Sequence, residues 1–324
     1  MKKKACKITL WVVAGLAALI LIMMFGVGNY MLKYALQPEM KTYEEFSALD
    51  GADKWTPGIG EWGKQMLALN LMKDTVMTVN GADMQTYYAF PGDGTVPSGK
   101  TAVIVHGYTS NPMSMMMIAR MYRDHFGYNV VLPTLKYHGR SGGDAIQMGW
   151  LDRLDVLEWS AWAHERFGDT LQVVHGISMG GATTMMVSGE DTPEYIRAFV
   201  DDCGYTSAWD QFAFRAKVEF HMPPFPVMTG ANILCRKRFG WDFKEASCLE
   251  QVAKCEKPML FIHGDSDDYV PTEMAQQCYD AKTKGYRELW ITKDTGHARS
   301  YSNHPAKYTM TVRKFLKYNV DADL

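Results

Sequence analysis

The stretch Leu171-Gln-Val-Val-His175-Gly176-Ile177-Ser178-Met179-Gly180-Gly181 constrains this chain more than any other. Its first half is apolar and β-branched and reads as a strand buried on both faces, and the residues from about 179 to 189 read as a helix. Glycines two positions either side of Ser178 permit a turn so sharp that the serine is held strained and exposed above a sheet edge. The helix that follows points free N–H groups back at the same spot, so the Met179 amide is placed to stabilise an oxyanion.

The rest of the chain continues that rhythm. Apolar runs at 102–105, 129–132, 198–200, 259–262 and 288–291 predict further strands, and helices are expected at about 113–126, 150–167, 272–283 and 304–318. Upstream, Thr75–Val79 and Gln85–Phe90 flank Asn80-Gly81, a pair suited to the positive φ of a tight hairpin. Strands joined by helices imply an α/β chain with a mostly parallel central sheet flanked by helices. One interval breaks the pattern. Gly204 to Lys257 is too long for bare loop and predicts a helical cap insertion. Its Phe212, Phe214, Phe220, Met222 and Phe225 form either an apolar roof over a substrate or a seal against the sheet.

A serine hydroxyl is a weak nucleophile near neutral pH and needs a base, which in turn needs a group to orient it. The strand Pro258–Ile262 ends in His263-Gly264-Asp265-Ser266-Asp267-Asp268-Tyr269-Val270-Pro271. The next ends in Lys293-Asp294-Thr295-Gly296-His297. Loops leaving the C-terminal ends of parallel strands converge on the crevice where such sheets bind ligands. A serine, a cluster of acids and a histidine therefore meet there in that chain order.

From about residue 75 onward the sequence resembles the α/β-hydrolase superfamily, especially bacterial serine hydrolases similar to cinnamoyl esterases, monoacylglycerol lipases and serine aminopeptidases. The resemblance rests on His106-Gly107-Tyr108, His138-Gly139-Arg140-Ser141-Gly142-Gly143, the serine turn, Gly264-x-x-Asp267-x-x-Val270-Pro271 and Gly296-His297. It implies the α/β-hydrolase fold with Ser178 as nucleophile, His297 as base and Asp267 as orienting acid. Asp265 and Asp268 are the near alternatives to Asp267, and Asp201 and Asp202 more remote ones. The second oxyanion donor falls on the Tyr108 amide, because Gly107 lets the backbone approach substrate. One departure concerns pocket shape: the family's Pro-Asp-x-Arg-Gly-His-Gly is replaced by Pro133-Thr134-Leu135-Lys136-Tyr137-His138-Gly139. The implied activity is hydrolysis of a small-molecule carboxylic ester with an apolar acyl or aryl group, through an acyl-enzyme. The alternatives are a peptidase or amidase of the serine aminopeptidase type, and a non-catalytic receptor or scaffold on the same fold.

No cofactor or metal is expected. The 6 cysteines include no C-x-x-C pair, and no H-E-x-x-H is present. With 34 Lys and Arg against 36 Asp and Glu, there is no basic footprint for nucleic acid. Gly58-Ile-Gly60-Glu-Trp-Gly63 spells a dinucleotide fingerprint but lacks a preceding strand, so it is read as a chance match. His106, His138, His175 and His263 are expected to satisfy buried loop hydrogen bonds. Met113–Met117 and Met121 are expected to pack a helix on the sheet, with Met113 near the cleft mouth.

At the other end, the 21 residues Ile8–Gly28 carry no charge and match the thickness of a hydrocarbon core. Lys2, Lys3, Lys4 and Lys7 precede them, against Lys33 and Lys41 with Glu39 after. That asymmetry predicts a single-pass anchor in the cell membrane, with the N-terminus cytoplasmic and the remainder extracytoplasmic. A cleaved signal peptide ending at Gly26-Val27-Gly28 is the competing reading. The expected division is thus tail and anchor at 1–30, stalk and leading helices at 31–70, and hydrolase domain at 71–324 with an insertion at about 204–257. Past the anchor, Cys235, Cys248 and Cys255 are close enough in sequence for one bridge, although buried free thiols are the favoured reading.

Overall fold

Among the described residues, eight strands join in one sheet in the order β1-β2-β4-β3-β5-β6-β7-β8. They are β1 (Met72–Val79), β2 (Ala82–Ala89), β3 (Lys100–Val105), β4 (Asn129–Pro133), β5 (Leu171–Ile177), β6 (Ile196–Asp202), β7 (Met259–Gly264) and β8 (Arg287–Thr292). The computed structural model describes residues 2–40 and 45–324, and side chains over 7–40 and 47–324. Lys41 and the side chains of Lys2, Lys3 and Lys4, used above for the charge asymmetry, lie outside the described residues.

The first two strands form the expected hairpin, with Asn80 and Gly81 both at positive φ and Val79 paired to Ala82. β2 meets β4 antiparallel, and every pairing from β4 across to β8 is parallel. β3, β4, β5 and β7 are almost wholly buried, as continuous apolar runs require when helices cover both faces. This is the α/β-hydrolase fold.

The helices are α1 (Lys2–Leu21), α2 (Gly28–Leu36), α3 (Glu45–Asp53), α4 (Ile59–Ala68), α5 (Met116–Arg120), α6 (Asp152–Phe167), α7 (Met179–Ser188), α8 (Ala208–Phe220), α9 (Val227–Phe239), α10 (Cys248–Val252), α11 (Thr272–Ala281), α12 (Ser300–Asn303) and α13 (Pro305–Asn319). Met113, Met115, Met116 and Met121 are buried against the sheet in the segment around α5, as their spacing suggests. His175 is also part of the core. Its ring nitrogens meet the hydroxyls of Tyr122 and Tyr308 at 3.2 and 2.9 Å, and burial pushes it down to about 3, so it is neutral. Its partners are therefore core side chains rather than a loop.

The chain divides into two compact units. One comprises Met40–Ser207 and Ala246–Leu324 and holds the whole sheet. The other comprises Met1–Glu39 with Ala208–Glu245, bringing the N-terminal helices together with α8 and α9. Within it, Lys7–Leu36 is one helical run of 30 residues, long and apolar enough by length and composition to cross a membrane. Tyr34 meets Phe220 edge-on at 5.6 Å, and Phe212, Met222 and Met228 line an apolar cavity of about 50 Å³ with Met31 and Leu32. Cys203, Cys235, Cys248, Cys255 and Cys278 are all buried and unbridged.

Register decides what the loops bring together. Val105 pairs with Gly176, Ile177 with Asp202, and Gly264 with Thr292, so β3, β5, β6, β7 and β8 all end on the same edge. α7 leaves that edge so close to the sheet that a Cβ on Gly176 would strike the Gly180 carbonyl, and one on Gly180 the Val105 carbonyl. Only glycine fits at either place.

Candidate active site

Ser178 sits between β5 and α7 at φ 60° and ψ −121°, a conformation costly for any residue with a Cβ. The strain is held from both sides: its amide donates to the Asp202 carbonyl at 2.8 Å, and its own carbonyl accepts from the Ala182 amide at 2.9 Å. Its hydroxyl is thereby turned out of the sheet toward His297.

Ser178 Oγ lies 2.8 Å from His297 Nε2, and His297 Nδ1 lies 2.7 Å from Asp267 Oδ2. These three side chains come from loops as far apart as 119 residues in sequence. Asp267 is itself rigidly held. Its Oδ1 accepts from the amides of Tyr269 and Val270, both at 2.9 Å, and its Oδ2 also faces His263 Nε2 at 3.2 Å. Burial alone would raise its carboxyl, but the hydrogen bonds from His263 and His297 reverse that and hold it well below the usual carboxylate range. His263 was expected to serve a loop, and it does donate toward the Val270 carbonyl at 2.9 Å. Its contact with the carboxylate as well was not legible in sequence.

Three of the alternative acids, Asp265, Asp201 and Asp202, turn elsewhere. Asp265 Oδ1 accepts from the Thr295 amide at 3.1 Å. Asp201 takes the Gly204 amide at 3.0 Å, and Asp202 takes the Tyr308 hydroxyl at 3.0 Å. Burial pushes these last two carboxyls up to about 7 and about 6.

The loop after β3 is pinned by two neutral histidines. His106 Nε2 accepts from the Leu135 amide at 3.0 Å, which leaves Nδ1 to donate to the Gly107 carbonyl at 2.9 Å. His138 Nε2 accepts from the Thr109 amide at 3.1 Å, while its Nδ1 donates to the Lys136 carbonyl at 2.9 Å. Burial lowers them to about 3 and about 4, so neither carries charge near neutral pH. They tie the 106–109 loop to the 134–138 loop and bring Gly107 against Ser178, where a Cβ would approach the serine Cβ to 3.4 Å. Tyr108 follows and lines the same cleft, and Met179 opens α7 directly behind the serine.

The cleft measures about 370 Å³. Its polar side carries Tyr108, Ser178 and His297, and its apolar side Ala48, Ala52, Trp55, Ile59, Met115 and Met117. Four of those six come from α3, α4 and the turn between them, inside the 31–70 segment. A signal was present there. Ile59, Gly60, Gly63 and Met66 recur at helical spacing, and all are buried. The glycines of the apparent dinucleotide fingerprint have a packing role instead: Gly58, at φ 82°, starts α4, and Gly60 and Gly63 let α4 lie against Leu49 of α3. Helix against helix, with no strand in front, has none of the geometry that cradles a pyrophosphate.

Among the described residues, Cys203, Asp267 and His297 offer potential metal-ligand atoms within 4.8 Å of one another. The set fits a metal poorly. Burial pushes the Cys203 thiol far up, away from the thiolate a metal requires, and Asp267 and His297 already spend their nearest atoms on each other.

Residues 147–323 match the prolyl oligopeptidase family. The match spans more than half of the chain. The chain belongs to that family. YqkD of Bacillus subtilis strain 168 is 30% identical over 73% of this chain and 76% of its own length. The thermostable monoacylglycerol lipase of Bacillus sp. strain H-257 is 33% identical over 36% of this chain and 43% of its own. Among solved structures, the Pyrococcus furiosus esterase Pf2001 superposes with a TM-score of 0.63 at 24% identity, covering 78% of this chain and 95% of that one. The protein is thus an α/β-hydrolase of the kind that includes esterases and prolyl oligopeptidase-type peptidases.

Proposed function

We propose that the protein is a serine hydrolase cleaving carboxylic esters with an apolar acyl or aryl group. The observation that carries this reading is the unbroken line from Ser178 Oγ through His297 to Asp267 Oδ2, at 2.8 and 2.7 Å. Ser178 attacks the ester carbonyl carbon while His297 Nε2 takes the hydroxyl proton. His297 then returns that proton to the departing alkoxide, and the acyl group stays on Ser178 Oγ. Water, deprotonated by the same imidazole, attacks the acyl-enzyme and releases the acid and free serine. Asp267 keeps the proton on Nδ1 and stabilises the imidazolium. The amides of Tyr108 and Met179 bind the oxyanion, and their preorganisation is worth about 3 kcal/mol per donor removed. Ala48, Ala52, Ile59, Met115 and Met117 favour an apolar substituent on the carbonyl.

Lys7–Leu36 serves in this reading as an uncleaved membrane anchor with a cytoplasmic N-terminus, placing the hydrolase outside the cytoplasm. Fluorophosphonate labelling of the purified full chain tests the chemistry. Wild type is expected to label and to turn over 4-nitrophenyl esters, with Ser178→Ala losing the label and about 10³-fold or more of the rate. Faster cleavage of a matched anilide would move the assignment to a peptidase or amidase. Labelling that persists in Ser178→Ala would remove Ser178 from the chemistry.

A further inference from the structure

Arg299 is, among the described residues lining the cleft, the only one with a permanent charge. It follows His297 by two residues, just before α12, and its guanidinium carbon stands 3.1 Å from the centre of the Trp55 ring. Flat stacking on an aromatic face is a favourable seat for guanidinium. It occupies one face of the group and leaves the N–H edge to other partners. Among the described residues no carboxylate pairs with that edge and no carbonyl accepts from it, and burial without a compensating anion lowers the group from its ordinary value. It remains a cation.

A half-desolvated guanidinium with its face occupied and its fork free matches a planar carboxylate, which it binds through two parallel N–H···O bonds. The rest of the cleft wall near it is apolar or carries hydroxyls, so such an anion would meet no repelling acid among the lining residues. We propose that Arg299, seated over the Trp55 ring, binds a carboxylate of the substrate, so that the preferred ester has an apolar body and one carboxylate group away from the scissile carbonyl. This rests on the hydrolase reading above and narrows it to a substrate class.

The test uses the full chain in detergent and two matched ester pairs. In one the carboxylate ends the acyl chain, 4-nitrophenyl hydrogen adipate against 4-nitrophenyl hexanoate. In the other it sits on the leaving group, 4-acetoxybenzoate against phenyl acetate. For at least one pair, wild-type kcat/KM is expected to favour the carboxylate at least 10-fold over the neutral ester, mostly through KM, and that pair identifies the side of the ester carrying the anion. Arg299→Gln is expected to cut the ratio about 10-fold or more, with Arg299→Lys in between because an ammonium keeps the charge without the fork. Should Arg299→Gln fail to fold, competitive inhibition of wild type gives the same readout: adipate is expected to bind at least about 10-fold tighter than neutral adipamide. A wild-type ratio of one or less in both pairs, or a ratio unchanged by Arg299→Gln, overturns the inference while leaving the hydrolase intact, as neutral-ester turnover and labelling of Ser178 would show. Absence of both turnover and labelling overturns the two together.

Discussion

The two walls of the cleft are built on different terms. On the sheet side, Ser178, Asp267 and His297 hang from strand ends and are fixed largely by main-chain groups: the Asp202 carbonyl, the Tyr269 and Val270 amides, and glycines that admit no side chain. On the helix side, Ala48, Ala52, Trp55 and Ile59 stand on two short helices that pack by side chains and make no use of strand register. The first wall tolerates little displacement because each contact is a hydrogen bond of set length and direction. The second tolerates a good deal, because dispersion and apolar burial are non-directional. A fold that hosts many substrates would be expected to keep chemistry on the rigid wall and vary selectivity on the soft one.

Substitutions on each wall sharpen that contrast. Asp267→Asn, which leaves the imidazole without its charged partner, is expected to lower kcat by about 10³ to 10⁴ in steady-state ester assays. A loss under tenfold would mean that the rigid wall is not rigid for catalysis. The same variant carries a stability signature. Because the folded Asp267 carboxyl is held below its unfolded value of 3.8, the carboxylate contributes stability that is complete above about pH 4 and is lost as pH falls through the folded value. Denaturant melts of the two proteins should therefore differ most near neutral pH and converge on acidification below about pH 4. A gap that widens on acidification would reverse the assigned sign.

Gly176→Ala drives a methyl group into the Gly180 carbonyl, main chain against main chain, and is expected to cost roughly 3 kcal/mol or more by chemical denaturation, or to prevent folding. On the soft wall the effects shrink. Ala52→Leu, which fills the apolar side of the cleft, is expected to shift the preferred acyl chain two or more carbons shorter, with kcat/KM on the shortest ester kept within about 3-fold. An unshifted chain-length profile would place the acyl group elsewhere. Smallest of all, Gly51→Ala in α3 meets nothing within 4 Å and is expected to raise stability by about 0.5 to 1 kcal/mol. Destabilisation there would show α3 to be as tightly fitted as the elbow.

Legibility in the sequence divided along the same line. The eight strands, the hairpin turn at Asn80-Gly81, the Ser178 elbow and the loop ending in His297 each depend on residues adjacent in the chain, and each falls where the local pattern puts it. The strand-end positions of His106 and His138 point to loop support, and both rings are engaged in that way. The apolar wall was harder to see. Ile59, Gly60, Gly63 and Met66 have helical spacing, but their glycines spelled a nucleotide fingerprint, and nothing local said which cleft the helix would face. The hydrogen bonding of His263 to Asp267 was hidden for a related reason: a histidine beside a cluster of acids has several possible partners, and only the loop's path selects one.

What the linear order determined was the alternation of strand and helix, the serine between glycines and the succession of hydroxyl, acid and imidazole, because propensity, burial pattern and turn chemistry act over a few residues. Tertiary structure alone decided that His263 as well as His297 faces the Asp267 carboxylate, that α3 and α4 close one side of the cleft, and that Arg299 lies on Trp55. Most of those are distances between segments far apart in the chain, and they come into being only when strand register and helix packing bring the segments together.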